Sequence, residues 1–172
     1  MNIIHLLFSA KGRIRRRTYW MGAIGVFITS SLIKVLGLAV FWDVQPAMMV
    51  PQMGVWQQLN PTPIALFLWT VMLLFLVPSL CISAKRWHDR NRSGWFALTG
   101  PIQLALSVAA FGYDPSGVNS TQIEKIAYLA IMSVSGVLAL WVFVECGILD
   151  GTKGPNRYGP SPKGITAAPD VF

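Results

Sequence analysis

The residues best suited to chemistry lie in one short segment, Arg86-Trp87-His88-Asp89-Arg90. Its guanidinium groups can donate paired hydrogen bonds to phosphate or carboxylate oxygens. The imidazole of His88 can transfer a proton near neutral pH. A second interpretation is structural: the arginines then fix the topology of the chain, and Asp89 pairs with them. The segment therefore predicts either an anion site or a charged turn.

Two further polar segments can join this one. Gly12-Arg13 precedes an apolar stretch, an arrangement typical of an anion-binding helix start. The segment Gly151 to Gly159 follows the last apolar stretch, and its Gly-Pro-Asn and Tyr-Gly-Pro sequences predict a rigid turn. We predict that an anion or lipid headgroup binds Arg13, Arg86, His88 and Arg90. We also predict a structural polar cluster of Asp89, Glu145 and Asn156.

The residue inventory disfavours most catalytic sites. The chain has 2 histidines and 2 cysteines, too few for a His-rich zinc site. A magnesium site at Asp89, Glu145 and Asp150 is disfavoured by the surrounding positive charge. One histidine beside one aspartate is not a catalytic triad. We predict no catalytic residue, no metal and no cofactor. A small membrane enzyme acting on a phosphorylated lipid through His88 and Asp89 stays an alternative.

Long apolar stretches must position these segments. The chain is 53% hydrophobic and only 12% charged, whereas soluble domains are about 25% charged. The first apolar stretch covers about residues 19–42. As a helix that rises about 1.5 Å per residue, it is roughly 36 Å long, enough to cross a hydrocarbon core of about 30 Å. The third stretch is short and contains Gly100-Pro101. We predict transmembrane helices at about 19–42, 64–84, 95–112 and 126–149.

The distribution of basic residues predicts the orientation of these helices. Of the 14 Lys and Arg residues, all but Lys34 and Lys125 precede the first stretch, separate the second from the third, or follow the fourth. Basic residues resist translocation, so both termini are expected in the cytoplasm. The predicted fold is an all-α membrane protein. It divides into a basic N-terminal segment (1–18), a four-helix transmembrane domain (19–149) and a cytoplasmic Gly/Pro-rich tail (150–172).

The first eight residues, MNIIHLLF, suggest one more helix. Ile3, Ile4, Leu7 and Phe8 recur with a spacing that places them on one helical face. Such a short amphipathic helix favours a position in the plane of the membrane interface.

Three ordered motifs carry a resemblance to a known family. They are GRIRRRTYW before the first stretch, RWHDRNRSGW between the second and third, and GTKGPNRYGPSP after the fourth. Together they resemble the bacterial inner-membrane family known as domain of unknown function 805. The resemblance spans nearly the whole chain and implies a multi-pass protein of the bacterial inner (plasma) membrane. It implies no particular activity.

The basic segments predict the partners. Their lysines and arginines lie at helix ends beside Trp and Tyr, which favours anionic phospholipid headgroups over nucleic acid. We predict an integral inner-membrane protein of unassigned activity whose basic cytoplasmic face binds anionic lipid headgroups or an acidic partner. Small residues such as Gly25 and Gly136 favour self-association, so a homo-oligomer is expected. An oligomeric channel or transport component is the third alternative.

Overall fold

The computed structural model describes residues 2–40, 63–110 and 121–164. Within these ranges the regular structure is helical, apart from one antiparallel bridge between Asn156 and Gly159. In chain order the elements are α1 (Ile3–Phe8), α2 (Arg16–Val40), α3 (Pro63–Asp89), a 3-10 helix (Gly94–Leu98), α4 (Thr99–Ala110), α5 (Gln122–Val142) and a π-helical turn (Phe143–Ile148).

Three of the described helices are long and apolar enough to cross a membrane. They are Arg16–Val40, Leu66–Asp89 and Gln122–Ile148. The fourth apolar segment, Gly94–Ala110, is shorter, and its first turn is a 3-10 helix. The all-helical class is confirmed, and the third predicted span is the shortest element of the four.

The helix α3 continues beyond its apolar stretch. The second span was predicted to end at 84, but helical structure persists to Asp89. Arg86 and His88 therefore lie in the last helical turn, where cations interact favourably with the helix dipole. This extension places the polar motif on a rigid helix rather than on a loop.

Local capping residues fix where several helices begin. The side chain of Thr121 accepts a hydrogen bond from the backbone of Glu124, and the Glu124 carboxylate accepts one from the backbone of Thr121. This reciprocal pair satisfies two backbone N–H groups at the start of α5. Ser93 caps the 3-10 helix by accepting from the backbone N–H of Trp95.

The helices pack as α2 against α3 and α4 against α5. The start of α2, the end of α3 and the segment after α5 meet at one end of the bundle, which we call the basic end. The buried core lies there, with Trp87 fully buried among Ala84, Ala97 and Cys146. The ring of Trp87 lies 5.1 Å from that of Phe96. Side chains along the spans face outward instead, as expected of surfaces that contact lipid.

The predicted N-terminal helix is present as α1, which packs against α3. The ammonium group of Lys85 donates hydrogen bonds to the backbone carbonyls of His5 and Leu6, which lie at the C-terminal end of α1. Ile3 and Phe8 are 67% and 62% exposed, so an apolar surface points away from the bundle.

Several predictions fall outside the described residues. They concern most of the two loops expected outside the membrane (43–63 and 113–125), the last residues of the first and third predicted spans (41–42 and 111–112), and the end of the tail (165–172).

Candidate functional site

Asp89 is the centre of a buried ionic cluster at the basic end. It is the last residue of α3 and is 3% exposed. Its Oδ1 atom accepts a hydrogen bond from Nε of Arg13 at 3.1 Å and lies 3.0 Å from Nη2. Its Oδ2 atom accepts from Nη1 of Arg86 at 2.5 Å. Both carboxylate oxygens are thus held by guanidinium groups that approach from different segments.

Arg13 joins the segment before α2 to the tail after α5. Its Nη1 donates to the carbonyls of Gly154 at 2.9 Å and Gly159 at 3.2 Å. Its Nη2 donates to the carbonyl of Thr152 at 2.7 Å and to the Thr152 hydroxyl at 3.2 Å. With the Asp89 contact, protein oxygens occupy the donors of this guanidinium, which has five N–H groups.

Arg86 binds the end of the last described helix. This fully buried side chain donates from Nε to the carbonyl of Cys146 at 2.7 Å and from Nη2 to the carbonyl of Leu149. The last carbonyls of a helix have no intrahelical donor, so a guanidinium placed there satisfies them and complements the helix dipole. Arg86 therefore links the end of α3 to the π-helical turn through backbone atoms that any sequence would supply.

Glu145 forms a second ionic contact from the same π-helical turn. Its carboxylate accepts from Nε of Arg90 at 3.1 Å and from Nη2 of Arg92 at 3.0 Å. Arg90 also donates to the backbone carbonyl of Asp150. The Glu145 side chain is 11% exposed, whereas that of Arg92 is 45% exposed. Compared with an α-helix, a π-helical turn contains one more residue between hydrogen-bonded groups, so the side chains point in different directions. Here Glu145 and Cys146 are buried.

His88 and Asn156 fix the tail against α3. The imidazole stacks on the Tyr158 ring with 3.8 Å between centroids and a 10° angle between planes. Nδ1 of His88 lies 3.2 Å from the carbonyl of Gly12, a contact that requires a proton on Nδ1. The amide of Asn156 donates to the carbonyl of His88 at 3.0 Å and to the Thr152 hydroxyl at 3.0 Å. These contacts engage one face and the Nδ1 atom of the His88 imidazole, together with its backbone carbonyl.

Two glycines are required by close approach to this cluster. A Cβ atom at Gly151 would lie 2.0 Å from Oδ2 of Asp89. A Cβ atom at Gly94 would lie 2.7 Å from Nε2 of His88. Both distances are shorter than carbon atoms tolerate, so only glycine fits beside these two side chains.

The structure brings the predicted residues together in two connected groups. Arg13, Arg86 and Asp89 form the inner group, with His88 and Asn156 beside it, while Arg90 and Glu145 form the outer group. Sequence reasoning missed Thr152, which contacts Arg13, Asp89 and Asn156. The signal was present, because Thr152 lies between two glycines of the tail motif, where a single hydroxyl can bond to several backbone and side-chain groups.

Other cations of the basic end are exposed to solvent. These residues are Lys11, Arg15, Arg16, Arg17, Arg92, Lys153, Arg157 and Lys163. Asp150 lies among them, 3.0 Å from Lys163 and 3.0 Å from Arg16. The hydrogen bond from Lys163, together with the charge of Arg16, lowers the pKa of Asp150. Its carboxylate is therefore ionised at neutral pH and offsets only part of the surrounding positive charge.

The geometry favours holding segments together over catalysis. Asp89 is buried, and a guanidinium group binds each of its two carboxylate oxygens. In the parts of the chain that the structure describes, no three His, Cys, Asp or Glu side chains converge as metal ligands.

Comparisons with known proteins agree with the motif pattern. The inner membrane protein YhaH of Escherichia coli K12 is 27% identical over 157 residues, covering 89% of this chain and 86% of YhaH. The uncharacterized protein YiiR of the same strain is 26% identical over 160 residues, covering 92% of this chain and 89% of YiiR. No solved structure matches significantly. The profile of the family described as "Protein of unknown function (DUF805)" matches residues 7–160, so this helical membrane protein belongs to the DUF805 family.

Proposed function

We propose that the protein crosses the bacterial inner membrane four times, with both termini in the cytoplasm. Three described helices have the length and hydropathy of spans, and the shorter segment Gly94–Ala110 supplies the fourth crossing. The basic residues support this orientation, because only Lys34 and Lys125 lie outside the three segments that meet at the basic end. A similar chain, YhaH, is named an inner membrane protein.

The basic end then faces the cytoplasmic leaflet, where we infer that it binds anionic phospholipid headgroups. The observation that carries this inference is the division of its cations by burial. Arg13, Lys85 and Arg86 are buried and bonded to protein oxygens. Eight other cations are exposed to solvent, although five of them, including Arg15, also donate to a protein oxygen. Exposed lysines and arginines close to a membrane surface each contribute about 1 kcal/mol of attraction to anionic lipid.

The buried arginines play a different part in this proposal. The sequence predicts that the headgroup binds Arg13, Arg86, His88 and Arg90. Since protein oxygens already occupy the donors of Arg13, we propose that this group holds the basic end in shape and that neighbouring exposed cations bind the lipid. Asp89, Glu145 and Asn156 then act as the structural polar cluster. The same contacts disfavour the alternative in which His88 and Asp89 catalyse a reaction.

The test uses two exposed arginines at the start of α2. Arg15→Gln combined with Arg17→Gln should weaken retention of phosphatidylglycerol by about tenfold or more, since two contacts of about 1 kcal/mol are lost. Retention is measured by native mass spectrometry from mild detergent with added phosphatidylglycerol. The matched control is Arg15→Lys combined with Arg17→Lys, which keeps both charges and should retain lipid as the unmodified protein does.

A companion pair separates the two kinds of arginine. Arg13→Lys combined with Arg86→Lys also keeps both charges, but an ammonium group cannot replace a forked guanidinium. We expect the melting temperature to fall in the variant with lysine at 13 and 86. We expect it to stay unchanged in the variant with lysine at 15 and 17. If the exposed glutamine pair retains phosphatidylglycerol as well as its lysine control does, the basic end has no lipid-binding function.

A further inference from the structure

A cavity of about 450 Å³ lies between α2, α3 and α4, within the membrane-spanning part of the fold. At one end its lining reaches Tyr19, Ala97 and Val142, against the core of the basic end, and from there it follows the sides of the helices. Apolar side chains form most of its wall, among them Phe27, Val71, Phe75, Leu76 and Leu80. Its volume falls in the range of about 300–1,000 Å³ that is typical of ligand pockets.

The cavity is elongated along the helices. On α2 its lining extends from Tyr19 to Lys34, which at about 1.5 Å per residue is roughly 22 Å. On α3 it extends from Val71 to Ser83. A volume of about 450 Å³ spread over that length describes a long, narrow space. An extended hydrocarbon chain fits such a space, whereas a compact polar metabolite does not.

The hydroxyl groups in the wall are largely satisfied by their own helices. Ser30 donates to the carbonyl of Phe27 at 3.0 Å, and Ser79 donates to that of Phe75 at 2.8 Å. Thr99 donates to the carbonyl of Phe96 at 2.7 Å. These three donors are consumed internally, so the wall is mainly apolar, with the hydroxyls of Tyr19 and Ser83 as further polar groups in it.

Lys34 is the charged residue among those that line the cavity. It lies about 9 Å along α2 from Val40, the last described residue of that helix, and so falls within the span. None of the ion pairs found among the described residues includes Lys34. An ammonium group at this depth is costly unless it meets an anion or reaches the interface.

We propose that this cavity binds one acyl chain of an anionic phospholipid, with the acidic headgroup paired to Lys34. The apolar wall accommodates the chain, and charge complementarity positions the headgroup at the end of the cavity farther from the basic end. The second acyl chain stays in the bilayer. The proposed headgroup position at Lys34 is separate from the headgroup contacts of the basic end, because it lies at the far end of the cavity lining.

The test is photolabelling with phosphatidylglycerol that carries a diazirine in one acyl chain. The full-length protein in lipid nanodiscs is irradiated, and adducts are assigned by peptide mass spectrometry. We expect adducts on 71–83 of α3 and on 19–34 of α2. Phosphatidylcholine with the same photoreactive chain should label these peptides about fivefold less, since it lacks the net negative charge that one lysine contact recognises.

Variants identify Lys34 as the partner of the headgroup. Lys34→Gln should lower labelling of the cavity peptides by phosphatidylglycerol about fivefold, and Lys34→Arg should preserve it. The matched control is Lys125→Gln, which removes one charge near the same membrane surface from a residue that does not line the cavity. Ala23→Phe fills the cavity and should remove the difference in labelling between the two lipids, leaving only the labelling of the outward faces by bilayer lipid. Melting temperatures show whether each variant is folded.

Three results would overturn the proposal. The first is equal labelling of the cavity peptides by the two lipids in the unmodified protein, a comparison that needs no variant. The second is an equal loss of phosphatidylglycerol labelling in Lys34→Gln and Lys125→Gln, which would mean that Lys34 extends to the membrane surface instead. The third is an absence of photolabelling on the cavity peptides of a protein whose measured mass is that of a dimer. That result would make a second copy of the chain the occupant of the cavity.

Discussion

At the scale of single residues, burial separates arginines that look alike in the sequence. Arg13 lies two positions from Arg15, yet its side chain is 2% exposed and bonded to Asp89, while Arg15 is exposed. A buried ion pair contributes little net stability compared with an apolar replacement, but removal of one partner leaves a buried charge uncompensated. The stability of the basic end therefore depends on completing the Asp89 cluster rather than on the number of charges.

Asp89→Asn tests this dependence. The substitution leaves the guanidinium groups of Arg13 and Arg86 buried without their anion. We expect the free energy of unfolding to fall by about 3–5 kcal/mol, the usual cost of removing one partner of a buried ion pair. Thermal and denaturant unfolding in detergent measure the effect. Asp150→Asn is the control, because that carboxylate is 53% exposed and its ion pairs are screened by water. Equal destabilisation by both variants would contradict a special role for Asp89.

At the scale of elements, helix ends are joined by side chains from other helices. Lys85 binds the carbonyl end of α1, and Arg86 binds carbonyls at the end of the π-helical turn. Neighbouring cations on α3 thus stabilise two different helix ends. Since α1 has only six residues, it cannot be stable as an isolated helix and depends on such a contact.

Lys85→Met should release α1 from α3. The substitution keeps much of the apolar stem but removes the two charged hydrogen bonds to His5 and Leu6, so local opening should increase about tenfold or more. Hydrogen–deuterium exchange of the peptide covering 2–9 measures this opening. Lys11→Met is the comparison, because its side chain is exposed and outside α1. If Lys85→Met leaves the hydrogen–deuterium exchange of this peptide unchanged, Lys85 is not needed to order α1. Contact between the exposed face of α1 and the lipid interface would then be sufficient.

At the scale of the whole molecule, the basic segments predict which way the chain faces. The basic segments before α2 and after α5 meet at one end of the bundle. This agrees with an even number of membrane crossings between them. In the proposed topology, the short segment Gly94–Ala110 supplies the fourth crossing. Orientation and span count can be measured in one experiment.

Single cysteines in a cysteine-free background report that topology. Cysteines replacing Gln58 or Ser116 should react with an impermeant maleimide on intact cells. Those replacing Ser9 or Ser161 should react only after permeabilisation, because positive charge keeps their segments in the cytoplasm. Accessibility of Ser161 but not Ser9 from outside would indicate three spans, and reversed labelling would place the basic end outside the cell.

The sequence by itself determined the helical class, the membrane location and the three motifs. Hydropathy and charge asymmetry are sums over neighbouring residues, so they can be read without knowing the fold. The motifs also singled out Arg13, His88, Asp89 and Asn156 for the site. Glu145 was expected in the structural polar cluster, since it lies about one turn before the inner end of the last span.

Only the tertiary structure decided what each of these residues does. Arg13 meets Asp89 across 76 positions of the chain, and Lys85 meets α1 across 79 or more. Local patterns cannot rank such pairings, because every arginine in the motifs has the same chemistry until burial distinguishes them. The position of Lys34 was decided in the same way. Packing of α2, α3 and α4 places it on the wall of a cavity that forms between the helices and that no single stretch of the sequence reveals.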